Sequence, residues 1–258
     1  MTIVGRSISP GKGRGEAIVL NEPLSFLGGV EGSTGELKVA DGGNVAGKVL
    51  VFPKGKGSTV GSFVMYDLMV HGKQPAAVIN ESAETIVATG AVISSIPMVD
   101  GIQSVSLFRT GDIVEVDGDT GSVEITGVRV RRAVTSAIVR DGKVLLLKRP
   151  DTERSFPGKW SMVSGSIEDG ESPEEAAVRE IREETSMEPG PVAATAEQIL
   201  VREGDVIWEL HPFLFRLSSG DVKLNPENVG YEWVPVGDVG GYDTVDGMDL
   251  VLGSLDLC

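Results

Sequence analysis

The chain has 258 residues and a mass of 27.2 kDa, with 41% apolar residues, 24% charged residues and a mean hydropathy of +0.06. That composition excludes a disordered or fibrous chain and suffices for one large or two modest hydrophobic cores. With 23 Lys and Arg against 38 Asp and Glu, the net charge is −15, which argues against both a nucleic-acid polymer and a membrane as partner.

One cysteine, Cys258, and two histidines, His71 and His211, leave no internal disulfide and little prospect of a protein-held zinc site. Met1 to Ser9 carry no basic segment followed by an apolar stretch, and no apolar run approaches ~18 residues. The expectation is a cytoplasmic protein.

In chain order, the first half offers short apolar runs bounded by Gly, Pro or Asp: Ala17 to Leu20, Gly47 to Phe52, Ala76 to Ile79, Ala91 to Ser94 and Asp112 to Val116. Their length and their Val and Ile content predict strands. Helices are expected from about Thr59 to Val70, ending at Gly72, and from about Ser82 to Thr89, ending at Gly90, since glycine commonly follows a helix end. The alternating IVEVDGDTGSVEI predicts a hairpin turning at Asp117-Gly118 and Gly121.

Between the second strand and first helix lies FPKGKGSTVG, with Lys54, Lys56, Gly57, Ser58 and Thr59. Backbone N–H groups at such a helix start, with lysines beside them, can hold an anion. It is not a triphosphate-binding loop of the GxxxxGK[ST] type, because Gly57 separates Lys56 from Ser58. Ser58 reads equally well as a plain helix N-cap.

Val128 to Arg132 is a short basic joint, and AVTSAIVRDGKVLLLKR then predicts two strands about an Asp-Gly turn. The domains are expected at 1–127 and 128–258. The acidity is uneven, with 9 basic against 14 acidic residues before Val128 and 14 against 24 from there on.

Ser172-Pro173-Glu174-Glu175 combines a Ser N-cap, Pro at the first helical position and Glu three residues after the cap, so a helix should run from Pro173 to about Glu184. Ala177 and Ile181 share one face, while Glu180, Glu183 and Glu184 converge on another. Arg179 can pair with Glu183, but a hard divalent cation would neutralise three carboxylates more fully. The alternative is a solvated acidic face. Trp160, Trp208, Tyr231 and Trp233 suit either a base-stacking or apolar pocket or the core.

The spacing Gly165, Glu171, Arg179-Glu180-Ile181, Glu183-Glu184, Ser186, Met187 resembles the signature of the Nudix hydrolase family. The departure is Ser186, where the family has glycine; it bears on the helix exit. FPGKWSMVSG upstream and YEWVPV downstream extend the likeness. The resemblance implies a Nudix α/β/α sandwich in which Glu180, Glu183 and Glu184 bind Mg²⁺ or Mn²⁺. It also implies Glu183 or Glu184 as the base for water attacking a diphosphate.

The first half is similar to the small, swivelling-domain subunit of the aconitase X family, through GKGRGEAIV, PLSFLGGVEGSTGEL, GKVLVFPKGKGSTVGSFVMYDL, PAAVIN, GAVISSIPMVDGI and TGDIVEVDG. The likeness is strongest to the archaeal phosphomevalonate dehydratase branch. It implies a β/β/α swivelling domain, hence a two-domain α/β chain, with Ser58 as the catalytic base and Gly57 and Thr59 at the substrate. It further implies small phosphorylated metabolites as ligands and an aconitase-like large subunit as partner, forming a heterodimer or larger assembly. That partner would hold a 4Fe-4S cluster, which a chain with one cysteine cannot ligate. Other readings are a hydroxyproline dehydratase subunit, or a Nudix hydrolase or sensor with a non-catalytic docking domain.

Overall fold

The computed structural model describes residues 2–39, 42–152 and 155–257; Cys258 lies outside them. The chain forms two compact units, Met1–Arg129 and Val130–Cys258. No helix among the described residues is long and apolar enough to cross a membrane.

The first unit contains β1 (Thr2–Val4), β2 (Arg6–Ser9), β3 (Lys12–Val19), a single distorted turn α1 (Phe26–Gly29), β4 (Val49–Phe52), α2 (Gly61–Val70), β5 (Ala77–Asn80), α3 (Thr85–Ile93), β6 (Met98–Asp100), β7 (Ile113–Asp117) and β8 (Ser122–Ile125). One mixed sheet runs in the order β1-β8-β7-β3-β4-β5-β6-β2. The β3, β4, β5 and β6 strands are parallel, and the outer pairs are antiparallel. Every residue of β4 and β5 is buried, which is why these strands read as unbroken apolar runs. The predicted hairpin is β7–β8, with Asp117 opposite Ser122.

Three readings fail here. Ala91 to Ser94 is no strand, and Gly90 does not end a helix: α3 runs Thr85–Ile93. The reason is tertiary, because Gly90 lies against Met65 of α2, where a Cβ would collide with the methionine side chain. The glycine permits close helix packing and leaves the α-helical ladder intact. Ser58 is not the N-cap either, since α2 begins at Gly61 with Val60 in that position.

The second unit contains β9 (Arg129–Arg140), β10 (Lys143–Lys148), β11 (Trp160–Ser161), β12 (Val163–Ser166), α4 (Pro173–Thr185), β13 (Val192–Thr195), β14 (Ile199–Glu203), β15 (Val206–Arg216), β16 (Gly230–Pro235) and α5 (Met248–Ser254). The basic joint foreseen at Val128 to Arg132 is mostly strand, as β9 starts at Arg129. Asp141 and Gly142 both have positive φ, 51° and 74°, the requirement of the two-residue turn joining β9 to β10.

Period-2 alternation splits these strands between two cores. Ala137, Val139, Val144 and Leu146 pack with Met248, Val251, Leu252 and Leu255 of α5. On the opposite side Val134, Ile138, Leu145 and Leu147 pack with Ala176, Ala177 and Ile181 of α4. The result is a sheet between helices. Burying Ile181 completely stabilises α4 on the sheet by about 1.5–3 kcal/mol, and Ile181→Ala would cost about 2–5 kcal/mol.

Candidate functional sites

In the first unit, β4, β5 and β6 end side by side at Phe52, Asn80 and Asp100, the end of a parallel sheet where ligands commonly bind. The loop leaving β4 is tied down on both sides. Lys56 N–H donates to Leu24 O at 2.9 Å, Leu24 N–H to Lys54 O at 3.1 Å, and the Glu81 and Ser82 N–H groups to Pro53 O at 3.0 and 3.1 Å. Gly57 then takes a φ of 100°, which glycine adopts without strain.

Beyond this fixed segment Gly57, Ser58 and Thr59 are exposed. The Val60 N–H donates to Ser58 Oγ at 3.3 Å, so the hydroxyl already has one N–H donor of the kind that stabilises an alkoxide.

Several residues around this end escaped the sequence reading. Asn80 is fully buried and donates to Phe52 O at 2.6 Å, while its Oδ1 has no partner. Asp100, 1% exposed, accepts a bidentate fork from Arg6 at 2.9 and 2.7 Å and a bond from Ala83 N–H at 2.9 Å. Burial pushes its pKa up, but the Arg6 fork and the Ala83 amide outweigh that and hold it below the usual aspartate value. Of the two histidines, His71 sits at the far end of α2, bonded to the Asp67 carbonyl, and offers no proton relay to Ser58.

In the second unit, α4 begins with the full capping box: the Ser172 hydroxyl accepts from Glu175 N–H, and the Glu175 carboxylate accepts from Ser172 N–H. Arg179 is the hub. It binds both Glu171 carboxylate oxygens at 2.9 Å, Glu180 at 2.7 Å, Glu183 at 3.2 Å and the Ser166 carbonyl at 3.0 Å. The Arg179 contacts, with help from Glu168 N–H, pull Glu171 down to about 2. Arg182 turns away to Glu188.

The three α4 glutamates do not share one environment. Glu183 is exposed, whereas Glu180 and Glu184 are buried. Burial, above all, pushes Glu184 up to about 8, reinforced by Glu180 and Glu227 and opposed by Asn228 and Arg149. Burial likewise raises Glu180. Asn228 donates to Glu184 at 3.3 Å. Gly165 makes room for this cluster, because a Cβ there would overlap the Glu180 carboxylate.

Among the described residues no group of three His, Cys, Asp or Glu is gathered as a ready metal cage; Arg179 draws Glu180 and Glu183 to itself. The donor set nevertheless fits a hard divalent cation. Buried Glu184 accepts a bond from the neutral Asn228 amide, and the charge of Arg149 only partly offsets its burial; a hard divalent cation with oxygen ligands would offset it more fully. Ser186 closes α4 in the left-handed region at φ 56°, which explains the glycine usual at that position of the signature.

A cleft of about 340 Å³ adjoins the cluster, reaching Gly165, Arg149, Arg131 and Trp208. Of the aromatics, Trp208 lines it, Trp160 packs edge-on against Tyr242, Trp233 lies under Arg140 at 4.1 Å, and Tyr231 is 45% exposed on β16.

The aconitase X swivel domain matches residues 2–125, and the NUDIX domain matches residues 130–249. The phosphomevalonate dehydratase small subunit of Thermococcus kodakarensis is 57% identical over 129 residues, covering 48% of this chain and 96% of the relative. The chain belongs to the aconitase X swivel-domain family. To that swivel domain it adds a Nudix domain with no counterpart in the relative's matched length, and both halves fall in enzyme families.

Among solved structures, aconitase X of Thermococcus kodakaraensis in its holo form is 55% identical with a TM-score of 0.47, over 48% of this chain and 98% of that one. The MutT protein of Methanosarcina mazei is 27% identical with a TM-score of 0.43, over 46% and 87%.

Proposed function

We propose that the chain is the small subunit of a heteromeric hydro-lyase that dehydrates (R)-5-phosphomevalonate to trans-anhydromevalonate 5-phosphate, joined at residues 127–130 to a divalent-metal-dependent diphosphate hydrolase. The observation that carries the first part is Ser58: an exposed hydroxyl on a loop pinned at the carboxyl end of a parallel sheet, in a domain 57% identical to a phosphomevalonate dehydratase small subunit.

Ser58 takes a proton from carbon while hydroxide leaves the neighbouring carbon, a double bond forms, and one water is lost. Gly57 and Thr59 position the substrate, and the Val60 N–H steadies the serine oxygen. An iron–sulfur cluster does not fit this chain, which has one cysteine; its thiolates belong to the large subunit.

That partner has a face to meet. At the start of α2 and along it, Val60 is 45%, Phe63 68%, Tyr66 45% and Val70 59% exposed, a run of large apolar side chains at the surface of the kind that marks an interaction site. We assign it to the large subunit. Anaerobic co-expression with that subunit, followed by an assay of water loss from 5-phosphomevalonate, tests the assignment. Ser58→Ala should abolish dehydration and leave the complex intact, and Phe63→Asp should weaken copurification. An active Ser58→Ala complex would overturn the reading.

In the Nudix domain, Glu180, Glu183 and Glu184 would hold Mg²⁺ or Mn²⁺, which supplies Lewis acidity and an acidified water. Glu184 or Glu183 accepts the proton of the attacking water, Arg179 keeps Glu171 and Glu180 in place, and Gly165 keeps the carboxylates accessible. A sensor built on the same fold would lack turnover. Metal-dependent phosphate release that disappears in Glu184→Gln separates the enzyme from the sensor.

A further inference from the structure

The cleft beside the Nudix carboxylates has an inner wall of hydrocarbon. Met162, Val201, Leu210, Met248, Val251 and Trp208 form it, drawn from β14, β15, α5 and the link between β11 and β12. Its buried polar groups are the hydroxyls of Thr135 and Ser161. Among the described residues no asparagine, glutamine or histidine lines it, so the planar amides that read a base edge are missing. The indole N–H of Trp208 is committed to Glu203 at 3.1 Å, and Arg131 lies over the ring at 5.8 Å.

From this wall we infer that the Nudix domain takes prenyl diphosphates, esters of a short branched aliphatic alcohol, with the hydrocarbon chain in the cleft and the diphosphate at the carboxylates. The inference rests on the hydrolase reading above. A nucleobase would bring several ring nitrogens and exocyclic groups against a wall whose buried polar groups are two hydroxyls, and each group left unpaired costs about tenfold in affinity. A branched hydrocarbon leaves nothing unpaired. The volume, about 340 Å³, is more than twice the ~150 Å³ cavity that admits benzene, room for a chain on the order of ten carbons.

Two arginines stand where the diphosphate would lie. Arg149 lines the cleft and lies close enough to Glu184 to act on its charge, and Arg131 lies on the same cleft. The attached swivel domain points the same way, because its relatives are named for phosphomevalonate, itself a phosphorylated branched aliphatic. In the reaction, water oxygen bonds to one phosphorus and the bond from that phosphorus to the bridging oxygen breaks. The bridging oxygen leaves with the electron pair on the other phosphate. A proton is released to a glutamate and then to solvent, and the products are the chain monophosphate and inorganic phosphate.

The test uses the full chain with Mg²⁺ and compares phosphate release from geranyl diphosphate, dimethylallyl diphosphate, ATP, dGTP and ADP-ribose, with inorganic pyrophosphatase added throughout to score any pyrophosphate and, for ADP-ribose, a phosphatase coupled to score its monophosphate products. Expected is a kcat/KM for geranyl diphosphate at least tenfold above the best nucleotide. Leu210→Asp and, independently, Trp208→Ala should each raise the geranyl KM tenfold or more, with far-UV circular dichroism unchanged.

A preference for a nucleotide would overturn the inference and leave the hydrolase reading standing. Absence of turnover on every diphosphate would remove the hydrolase reading instead, and calorimetric titration with geranyl diphosphate would then decide the cleft. Binding weakened tenfold by Leu210→Asp supports the inference; no binding overturns it.

Discussion

Asp100 in the swivel domain and Glu184 in the Nudix domain are nearly equally buried, 1% and 6% exposed, yet they meet opposite electrostatics. Asp100 is answered by an arginine fork and a backbone amide, and its pKa falls. Glu184 accepts from the Asn228 amide and feels the charge of Arg149, but its burial, with Glu180 and Glu227 beside it, outweighs both and lifts it to about 8. The first pattern is finished structure: a satisfied ion pair holds the strand ends, while Ser58 on the neighbouring loop stays exposed. The second is a carboxyl held largely protonated near neutral pH, whose charged form an added cation would stabilise. Low exposure therefore does not by itself fix the charge of a carboxyl; its depth and the groups that answer it do.

The largest expected effects test whether the two halves are separable machines. Ser58→Ala should remove dehydration in the assembled complex by ~10²–10⁴-fold and leave Mg²⁺-dependent phosphate release unchanged. Glu184→Gln should do the reverse. Both activities are measured on the same full-length preparations. If either variant lowers both, the halves are coupled and the comparison drawn above is too simple.

The next effect is pH. Asp100 has a folded pKa below its unfolded value, so its contribution is present above about pH 4 and is lost as pH falls through the folded value. Glu184 runs the other way. Its folded pKa of about 8 lies above an unfolded value near ~4.4, so the metal-free Nudix domain should lose stability as pH rises between those values. The slope reaches ~1.4 kcal/mol per pH unit and flattens above pH 8. The three tryptophans, Trp160, Trp208 and Trp233, all lie in this domain, so denaturant titrations followed by indole fluorescence in EDTA isolate it. Glu184→Gln should flatten the slope. An unchanged slope would mean that Glu184 is not the group responsible.

What the sequence disclosed follows the range of the interactions. The α4 helix was legible almost to the residue, because its cap, its proline and its acidic first turn are local. The first two strands of the Nudix sheet, β9 and β10 about Asp141-Gly142, were legible for the same reason. Gly90 misled, because its role is set by Met65 on another helix. Ser58 looked like a cap, yet the helix opens two residues later than a cap there would require. At the carboxylate cluster the α4 glutamates could be named from spacing, but Arg149, Glu227 and Asn228 are brought in by the tertiary fold. Burial by that fold raises Glu184 more than Glu180 on its own helix does.

The smallest effect sharpens the same comparison at a single backbone position. Ser186 holds φ 56° at the exit of α4, where an L-residue with a Cβ costs about 1–2 kcal/mol relative to a right-handed conformation. Its hydroxyl recovers part of that through a 3.3 Å bond to the Lys223 carbonyl, and glycine would lose ~0.5–1 kcal/mol of unfolded-chain entropy. The balance favours Ser186→Gly by no more than about 1 kcal/mol, read as a rise in the denaturation midpoint with an unchanged slope. Hydrolysis should be unaffected, because Ser186 contacts Lys223 of a neighbouring loop and none of Glu180, Glu183 or Glu184. A fall in turnover with a gain in stability would instead place the exit of α4 under functional strain, and would tie the departure from the Nudix signature to the chemistry of this particular site.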